Sequence, residues 1–401
     1  MEFTVSRNSL LLALQHTRQI INKKNFLHAF RNFVLTFRND CQLVMTVHTS
    51  NGEAWMTEDV VLNGTKGELR PIGIYYSDLL PAIKALDEQS LRFVVGESQV
   101  TVFHEIGSFR LPIANNTDEF LAYKVPCPDV EAADCYTMTY EAPALASILS
   151  RCSYAMATDE LRPVMNGVYI NLTPTYSDYV TSDGHILVRV RKNPVRYSGN
   201  AVVTNFVIPA YIVKILQHVL PKTGDVDIDY QPELKGEKDA KTSLKRKAQC
   251  CITIDDNLTI SFNPVDGRYP NYLSVIPEHN KYEMLIDRRT LTKSLDRLAL
   301  FASTNNLIRM TINREQLRLN TSDTDFDIDG EETLPCECNL DTDKTIEIGL
   351  EVRRLSKTLK TMSTEKISIH VENRNRAIII NPQPHPDNEE LTYLLMPMMY
   401  E

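Results

Sequence analysis

Residues able to act as acids, bases, nucleophiles or metal ligands are scattered along this 401-residue sequence and form no recognised catalytic pattern. The nine histidines and eight cysteines include neither an HExxH motif nor a CxxC pair, so they do not predict a zinc site. The GxxxxGKS/T loop that cradles nucleotide phosphates is missing, as are the GxGxxG and GxSxG motifs. We therefore predict no catalytic residue, no bound metal and no cofactor.

Within the acid-rich stretch Asp323–Asp329, the run Asp325-x-Asp327-x-Asp329-Gly330 imitates the start of a calcium-binding loop. Such a loop ends in a bidentate glutamate at its twelfth position, and Cys336 stands there instead. We expect an ordinary strand in which Phe326 and Ile328 face inward and the aspartates face water. A metal-dependent nuclease that uses these acids remains an alternative on the sequence alone.

The composition is that of an ordinary globular chain, with 43% hydrophobic and 24% charged residues. A length of 401 residues favours two or three domains. No apolar run approaches the roughly 18 residues of a membrane span, and the opening MEFTVSRNSLLLALQ lacks the features of a cleavable signal. We expect a cytoplasmic protein without membrane contact.

A strand that runs directly into an amphipathic helix recurs along the chain. It begins at Phe3, Tyr136 and Tyr282. A second strand–helix unit follows each of them after 71, 71 and 66 residues, and each copy then closes with a strand that ends near a proline. Three copies with nearly equal spacing indicate internal repetition, which determines the fold.

The repeats predict three tandem, alike domains of the α+β class, at residues 1–126, 134–278 and 281–401. Each domain is expected to hold two helices and roughly eight strands, since the alternating runs between the helices are typical of half-buried antiparallel hairpins. The polar segment Gln231–Gln249 interrupts one hairpin of the second domain, and we assign it no function.

Charge is sorted between the helices and the rest of the chain. The net charge is −9, but the six predicted helices together carry +11 and the remaining residues −20. In the last helix the apolar residues share one face, while Arg353, Lys357 and Lys360 lie on the other. If the copies gather their helices on one surface, that surface suits a DNA backbone contacted without regard to sequence, because no aromatic residues are interleaved for base stacking.

Four separated motifs resemble the bacterial DNA polymerase III beta subunit, the sliding clamp. They are MEFTVSRNSLLLALQ, the stretch Arg162–Val188, the stretch Asp266–Pro277 and the terminal YLLMPM. The resemblance covers the whole chain. It implies a head-to-tail homodimer that closes into a ring of six domains, with twelve helices lining the hole and a continuous sheet outside.

The function that the resemblance implies is non-catalytic. The ring encircles double-stranded DNA and tethers the replicative polymerase, which gives processivity through high effective concentration. Implied partners are the DNA polymerase III catalytic subunit, an ATP-driven clamp loader, and other polymerases and repair factors that insert short hydrophobic peptides. A monomeric three-domain interaction scaffold stays open as an alternative.

The resemblance also implies three sets of site residues. The partner-peptide pocket would comprise Met165, Ser182, Gly184, His185, Ile186, Leu187, Pro270, Tyr272, Ser274, Val275, Leu394, Met396, Pro397, Met398 and Met399. DNA-facing residues would be Arg7, Lys23, Lys24, Arg151, Lys214, Arg289, Lys293, Arg297, Arg353, Lys357 and Lys360. The dimer interface would place Phe109 and Leu111 against Leu300 and Phe301.

The pocket departs from the family pattern in its charge. Several family members have arginine where this chain has Ile186, Ser274 and Met399. We therefore expect a less basic and more apolar pocket, whose flexible methionines adapt to varied peptides.

Overall fold

A computed structural model describes residues 1–21, 28–49, 54–115, 117–122, 125–159, 161–198, 203–233, 246–323, 326–386 and 388–400. Lys23, Lys24, Asp325 and most of the Gln231–Gln249 segment lie outside these described residues. The helices of the described residues are α1 (Arg7–Thr17), α2 (Tyr76–Lys84), α3 (Thr117–Ala122), α4 (Ala142–Ser153), α5 (Ala210–Val219), α6 (Arg288–Leu298) and α7 (Val352–Lys360). None of these helices is long and apolar enough to cross a membrane.

The strands follow the three predicted repeats. The first repeat holds β1 (Glu2–Ser6), β2 (Asn32–Asn39), β3 (Gln42–His48), β4 (Ala54–Lys66), β5 (Ile72–Tyr75), β6 (Ser90–Val95), β7 (Gln99–His104) and β8 (Gly107–Pro112). The second holds β9 (Tyr136–Glu141), β10 (Gly167–Leu172), β11 (Ser177–Ser182), β12 (Ile186–Lys192), β13 (Arg196–Ser198), β14 (Thr204–Pro209), β15 (Asp225–Gln231), β16 (Gln249–Ile254) and β17 (Leu258–Phe262). The third holds β18 (Tyr282–Asp287), β19 (Leu307–Ile312), β20 (Gln316–Asp323), β21 (Ile328–Pro335), β22 (Glu337–Cys338), β23 (Ile346–Glu351), β24 (Lys366–Val371), β25 (Ile378–Gln383) and β26 (Glu389–Leu395).

Strand pairing confirms the predicted repetition. The first strand of each repeat pairs antiparallel with the strand after the second helix, as β1 with β6, β9 with β15 and β18 with β24. The two strands that follow continue each ladder in order, as β7–β8, β16–β17 and β25–β26. The hairpin predicted to be interrupted by Gln231–Gln249 is formed by β15 and β16, with Gln231 opposite Gln249.

The first residue of the first helix makes one equivalent backbone hydrogen bond in every repeat. Arg7 N–H donates to Gln89 O at 2.9 Å, and Arg288 N–H donates to Glu365 O at 2.8 Å. The bond in the second repeat begins at Ala142. The same backbone contact therefore occurs at the equivalent position of all three repeats, which indicates that they share one local structure.

The described residues fold as two compact units. The first comprises residues 1–145, 196–200 and 215–264. Its sheet runs in the order β13-β9-β15-β16-β17-β4-β1-β6-β7-β8, and β2, β3 and β5 extend it from β4. Phe3 stacks on Phe93 with ring centroids 4.7 Å apart, and both rings are fully buried, as are Leu10 and Leu14 of α1.

The second unit comprises residues 146–195, 201–214 and 265–401. One of its sheets runs β14-β10-β11-β12-β26-β25-β24-β18-β22, and the other runs β21-β20-β19-β23. Helices α6 and α7 lie against each other, and Asp296 of α6 accepts a hydrogen bond from Ser356 of α7 at 2.6 Å. The α+β class is confirmed, and the three-domain division of the sequence stays a prediction.

The acid-rich stretch differs from its prediction. Phe326 and Ile328 were expected to face inward, but Phe326 is 75% exposed and Ile328 is also exposed, while Asp323 is buried. The chain reverses here between β20 and β21, and Asp327 has a left-handed backbone with φ of 54°. A hairpin turn interrupts the alternation of faces, so the strand prediction across this stretch was wrong.

His48 of β3 lies in an apolar aromatic cluster of the first unit. It is 1% exposed and contacts Phe120, Trp55 and Phe30 at ring-centroid distances of 4.4, 6.0 and 5.5 Å. Its Nδ1 has no hydrogen-bond partner among the described residues. Burial lowers the pKa of His48 to about 4, because the imidazolium form loses its hydration there.

We expect His48 to make the fold sensitive to mild acid. Between pH 6.5 and 4 the unfolded chain binds a proton at His48 that the folded chain does not, so stability falls as the pH falls. Between pH 7 and pH 5 this one residue should cost about 2 kcal/mol of unfolding free energy. Denaturant unfolding of wild type and His48→Phe at both pH values measures it.

The matched control is His279→Phe at an exposed position. Wild type and the control should lose more stability between pH 7 and pH 5 than His48→Phe does. An equal loss in all three proteins would contradict the assignment to His48.

Candidate functional site

An apolar cavity of about 240 Å³ opens on the surface of the second unit. Its floor is formed at the seam between β12 and β26, where Leu187 lies directly opposite Leu394. Both residues belong to a buried cluster that includes Val180. Two strands about 200 residues apart in sequence therefore build the floor by pairing with each other.

One side of the cavity is the turn between β11 and β12. The Asp183 carboxylate accepts hydrogen bonds from the backbone N–H groups of His185 and Ile186, both at 2.8 Å. Ser182 Oγ donates to Ile186 O at 2.7 Å. Gly184 has φ of 91°, a conformation that favours glycine. The turn is thus fixed by its own polar groups, and Ile186 is its apolar side chain in the cavity lining.

The opposite side is the segment Tyr269–Val275. Tyr269 stacks on Tyr169 of β10 with ring centroids 4.4 Å apart, and burial raises the pKa of Tyr269. Pro270, Tyr272 and Val275 also line the cavity. Packed aromatic rings hold this side, whereas the buried Met165 and the exposed Met396, which also line the cavity, are unbranched and adaptable.

The structure brings together most residues of the predicted pocket. The predicted residues that line the cavity are Met165, Ser182, Gly184, His185, Ile186, Leu187, Pro270, Tyr272, Val275, Leu394 and Met396. Four others lie outside the lining, namely Ser274, Pro397, Met398 and Met399.

Local contacts explain where these four residues lie. Ser274 Oγ donates back to Asn271 O at 2.7 Å, and Met398 N–H donates to Gly349 O at 2.8 Å. Met399 is 71% exposed. From Met398 onward the tail is therefore directed to β23 rather than into the cavity.

Sequence reasoning missed three lining residues, Arg162, Tyr269 and Asn271. Each of them stands inside or beside a motif already recognised, as in RPVMNG and RYPNY. Their adjacency to predicted residues was the available signal. Arg162 pairs with Asp159 at 3.3 Å, so a charged pair stands beside this apolar cavity.

The paired helices of the third repeat present cations to solvent. Arg289 and Lys293 of α6 and Arg353 and Lys357 of α7 are exposed and have no hydrogen bond or ion pair within the described residues. On α7 the buried residues Val352, Leu355 and Leu359 form the opposite face, as the sequence predicted. These four cations are available to phosphate groups.

Other predicted DNA-facing residues already have protein partners. Arg297 donates to Glu332 at 2.8 and 2.6 Å, and Lys360 pairs with Asp296 at 2.8 Å. Arg151 pairs with Glu389. Lys214 is exposed, and Lys23 and Lys24 lie outside the described residues.

Arg7 is held within the fold. It donates to Ile83 O at 3.2 Å and to Lys84 O at 3.0 Å, at the C-terminal end of α2. Arg288 of the third repeat does the same at the end of α7, donating to Leu359 O and Thr364 O. A cation at a helix C-terminus offsets the helix dipole, so Arg7 and Arg288 each stabilise the end of the neighbouring helix.

The predicted interface residues lie beside two strands at sheet edges. Within the described residues β8 ends one sheet and β21 ends another. Phe109 is half-buried on β8, and Leu111 is 8% exposed and therefore packed within its own unit. After α6, Leu300 is 76% exposed and Phe301 lies against Gly330 of β21.

Nothing in the described part of the chain resembles a metal centre. No group of three or more histidine, cysteine, aspartate or glutamate side chains is placed to hold an ion there.

Comparison with known proteins identifies the class to which this three-repeat α+β chain belongs. Residues 140–271 match the family model of the DNA polymerase III beta subunit central domain, and residues 273–399 match that of its C-terminal domain. Together the two matches cover more than half of the chain. The chain belongs to the DNA polymerase III beta subunit family, whose members are sliding clamps, non-catalytic processivity factors of DNA replication.

Individual relatives agree with this assignment. The beta sliding clamp of Synechococcus elongatus is 27% identical over 64% of this chain and 64% of its own length. That of Pseudomonas putida is 22% identical over 99% of this chain and 100% of its own length. Crystal structures of the DNA polymerase III beta subunits of Pseudomonas aeruginosa and Thermotoga maritima match the whole chain, each with a TM-score of 0.83, at 22% and 18% identity. The predicted family is confirmed.

Proposed function

We propose that this chain forms a cytoplasmic homodimeric ring that encircles double-stranded DNA without regard to sequence. The ring tethers the DNA polymerase III catalytic subunit, and it receives other polymerases and repair factors through short hydrophobic peptides at the β12–β26 cavity. An ATP-driven clamp loader opens it, since the sequence carries no nucleotide-binding loop of its own. The DNA-facing, pocket and interface residues are parts of this proposal.

The pattern of edge strands carries the proposal. The fourth strand of the first repeat, β4, pairs with the last strand of the second repeat, β17. The equivalent strand of the second repeat, β12, pairs with the last strand of the third, β26. Two strands are left over, β21 of the third repeat and β8 of the first. A second copy that continues the rule would pair its β8 with β21, and two such contacts close a ring.

Exposed side chains at these edges support the same pairing. Leu300 and Phe301 beside β21 are apolar and exposed, and an open edge with apolar neighbours favours pairing with another chain. A monomeric scaffold would leave both edges open to solvent.

The first prediction concerns the dimer. Light scattering should give a particle of about twice the 45.7 kDa chain mass. Leu300→Asp should shift the particle toward the monomer, with at least a tenfold loss of dimer affinity, because a charge would be buried at the interface without a partner. Since Leu300 is exposed in the single chain, the fold should survive.

The control for this experiment is Leu161→Asp, at a residue that is 89% exposed. It should leave the dimer intact. A wild-type particle near 45.7 kDa would remove the ring and favour the monomeric scaffold.

The second prediction concerns the pocket. Removal of Met396–Glu401 should abolish binding of polymerase peptides, but it also removes Tyr400, which packs on Gly349 and under Arg309. A sharper variant is Met396→Ala, which should weaken binding of a labelled polymerase peptide about tenfold by removing an apolar anchor. Fluorescence anisotropy measures the affinity.

Val203→Ala is the control, since it shortens an exposed apolar side chain that does not line the cavity. Its peptide affinity should equal that of wild type, and both variants should remain dimers. Unchanged affinity in Met396→Ala would count against the cavity as the peptide site.

The third prediction concerns DNA. Reversing Arg353 and Lys357 to glutamate should weaken retention on nicked circular DNA after loading, and it should lower the slope of log affinity against log salt by about 0.9 for each phosphate that the protein no longer neutralises. Arg374→Glu with Arg376→Glu makes the same change of charge in an exposed hairpin turn between β24 and β25. Equal retention by the two double variants would remove α7 from the DNA-facing surface.

A further inference from the structure

A row of polar side chains crosses the sheet that carries the peptide cavity. Asn171 of β10 is opposite Asp178 of β11, and Asp178 is opposite Arg191 of β12. Residues in register on neighbouring strands share a face. Alternate residues of a strand lie on the same face of the sheet. Asp178 therefore shares a face with Val180 of β11, and Arg191 shares that face with Leu187 of β12, near the cavity.

Asp178 is a fully buried carboxylate. It is 0% exposed, and both of its oxygens accept from Arg191, at 2.7 and 2.8 Å. The bidentate pair raises the pKa of Arg191, and the Tyr176 ring covers the guanidinium at 3.9 Å. A buried charge costs free energy unless it is paired and hydrogen-bonded, so this carboxylate is fixed in place.

The same carboxylate holds one residue of the cavity wall. Tyr272 Oη donates to Asp178 Oδ2 at 2.7 Å and accepts from Asn171 Nδ2 at 3.3 Å. The ring of Tyr272 meanwhile lines the cavity and belongs to its buried cluster. Burial, and next the bond to Asp178, raises the pKa of Tyr272, so its hydroxyl stays protonated and able to donate.

We propose that Asp178, held by Arg191, is a positioning residue for peptide binding, which fixes Tyr272 and with it the Tyr269–Val275 wall of the cavity. This inference rests on the proposed function of the cavity. Asp178 itself does not line the cavity. It acts through Tyr272. Without this anchor, the wall occupies its peptide-binding position in only a fraction of the molecules. The apparent Kd for the peptide then equals the intrinsic Kd divided by that fraction.

The experiment measures binding of a labelled hydrophobic peptide from the DNA polymerase III catalytic subunit to the full-length dimer. Tyr272→Phe removes only the hydroxyl and leaves both the ring and the Asp178–Arg191 pair. Peptide affinity should fall about fivefold to tenfold, since a hydrogen bond to a charged group is removed. Asp178→Asn should have a similar effect.

A double-mutant cycle separates positioning from general damage to the fold. If Asp178 acts through Tyr272, the double variant should bind no more weakly than the weaker single variant, because both changes break the same contact. Light scattering should still give the mass of the dimer for Tyr272→Phe, which shows that the fold is intact. The inference would be overturned if the loss of peptide affinity in the double variant equalled the product of the losses in the two single variants.

Tyr169→Phe is the matched control. Tyr169 belongs to the same aromatic cluster, and its hydroxyl makes no hydrogen bond within the described residues. Its variant should bind the peptide as wild type does. If wild type binds and Tyr272→Phe binds equally well, only this inference fails. If wild type binds no peptide, the pocket assignment itself fails, and the inference fails with it.

Discussion

Antiparallel pairing between the edge strands of successive repeats is the interaction on which the rest of this structure depends. Backbone N–H and C=O groups along a strand edge need partners, and an open edge is a site of association. The first repeat satisfies one edge through β4 and β17, and the second through β12 and β26. In a linear array of three repeats, this rule leaves one fourth strand (β21) and one last strand (β8) without a partner in another repeat. The proposed homodimer follows from that remainder, since two head-to-tail contacts would pair both β8 edges with both β21 edges.

The same pairing creates the peptide cavity. The β12–β26 ladder places Leu187 opposite Leu394, and neither repeat contains that floor alone. Ion pairs reinforce the ladder, since Arg189 pairs with Glu390 and Lys192 with Glu389. The cavity therefore lies where the second and third repeats meet. Pairing of β12 with β26 brings apolar side chains from distant sequence segments together there. Its Tyr269–Val275 wall rests on stacked rings and a buried ion pair, whereas the two methionines of the lining remain adaptable.

The repeats were predictable from the sequence because the strand–helix pattern is local and recurs three times along the chain. The pocket was predictable only through resemblance, since nothing local relates Ser182 to Met396. The sequence misled where local patterns met tertiary contacts. The alternation around Phe326 belongs to a turn. Helix α3 is a third helix in the first repeat, where two were expected, and the described residues of the other repeats hold no equivalent α-helix. The Met398 N–H bonds to Gly349 O, which leads the chain away from the cavity. Neither the Asp178–Tyr272 contact nor the pairing of Arg151 with Glu389 has any local signal, because their partners lie 94 and 238 residues away.

Side-chain geometry also refines what the charge count of the helices means. A helix with a net positive charge does not offer all of its cations to DNA. Arg297 and Lys360 pair with acidic side chains of the protein, and Arg7 bonds to the C-terminal end of α2. The cations that remain on α6 and α7 are long, exposed side chains that point to no fixed acceptor within the described residues. Each adds a modest, salt-dependent attraction to phosphate and reads no base. If a closed ring supplies retention, weak contacts of this kind are what movement along DNA requires, because a strong or sequence-specific contact would hold the protein at one place.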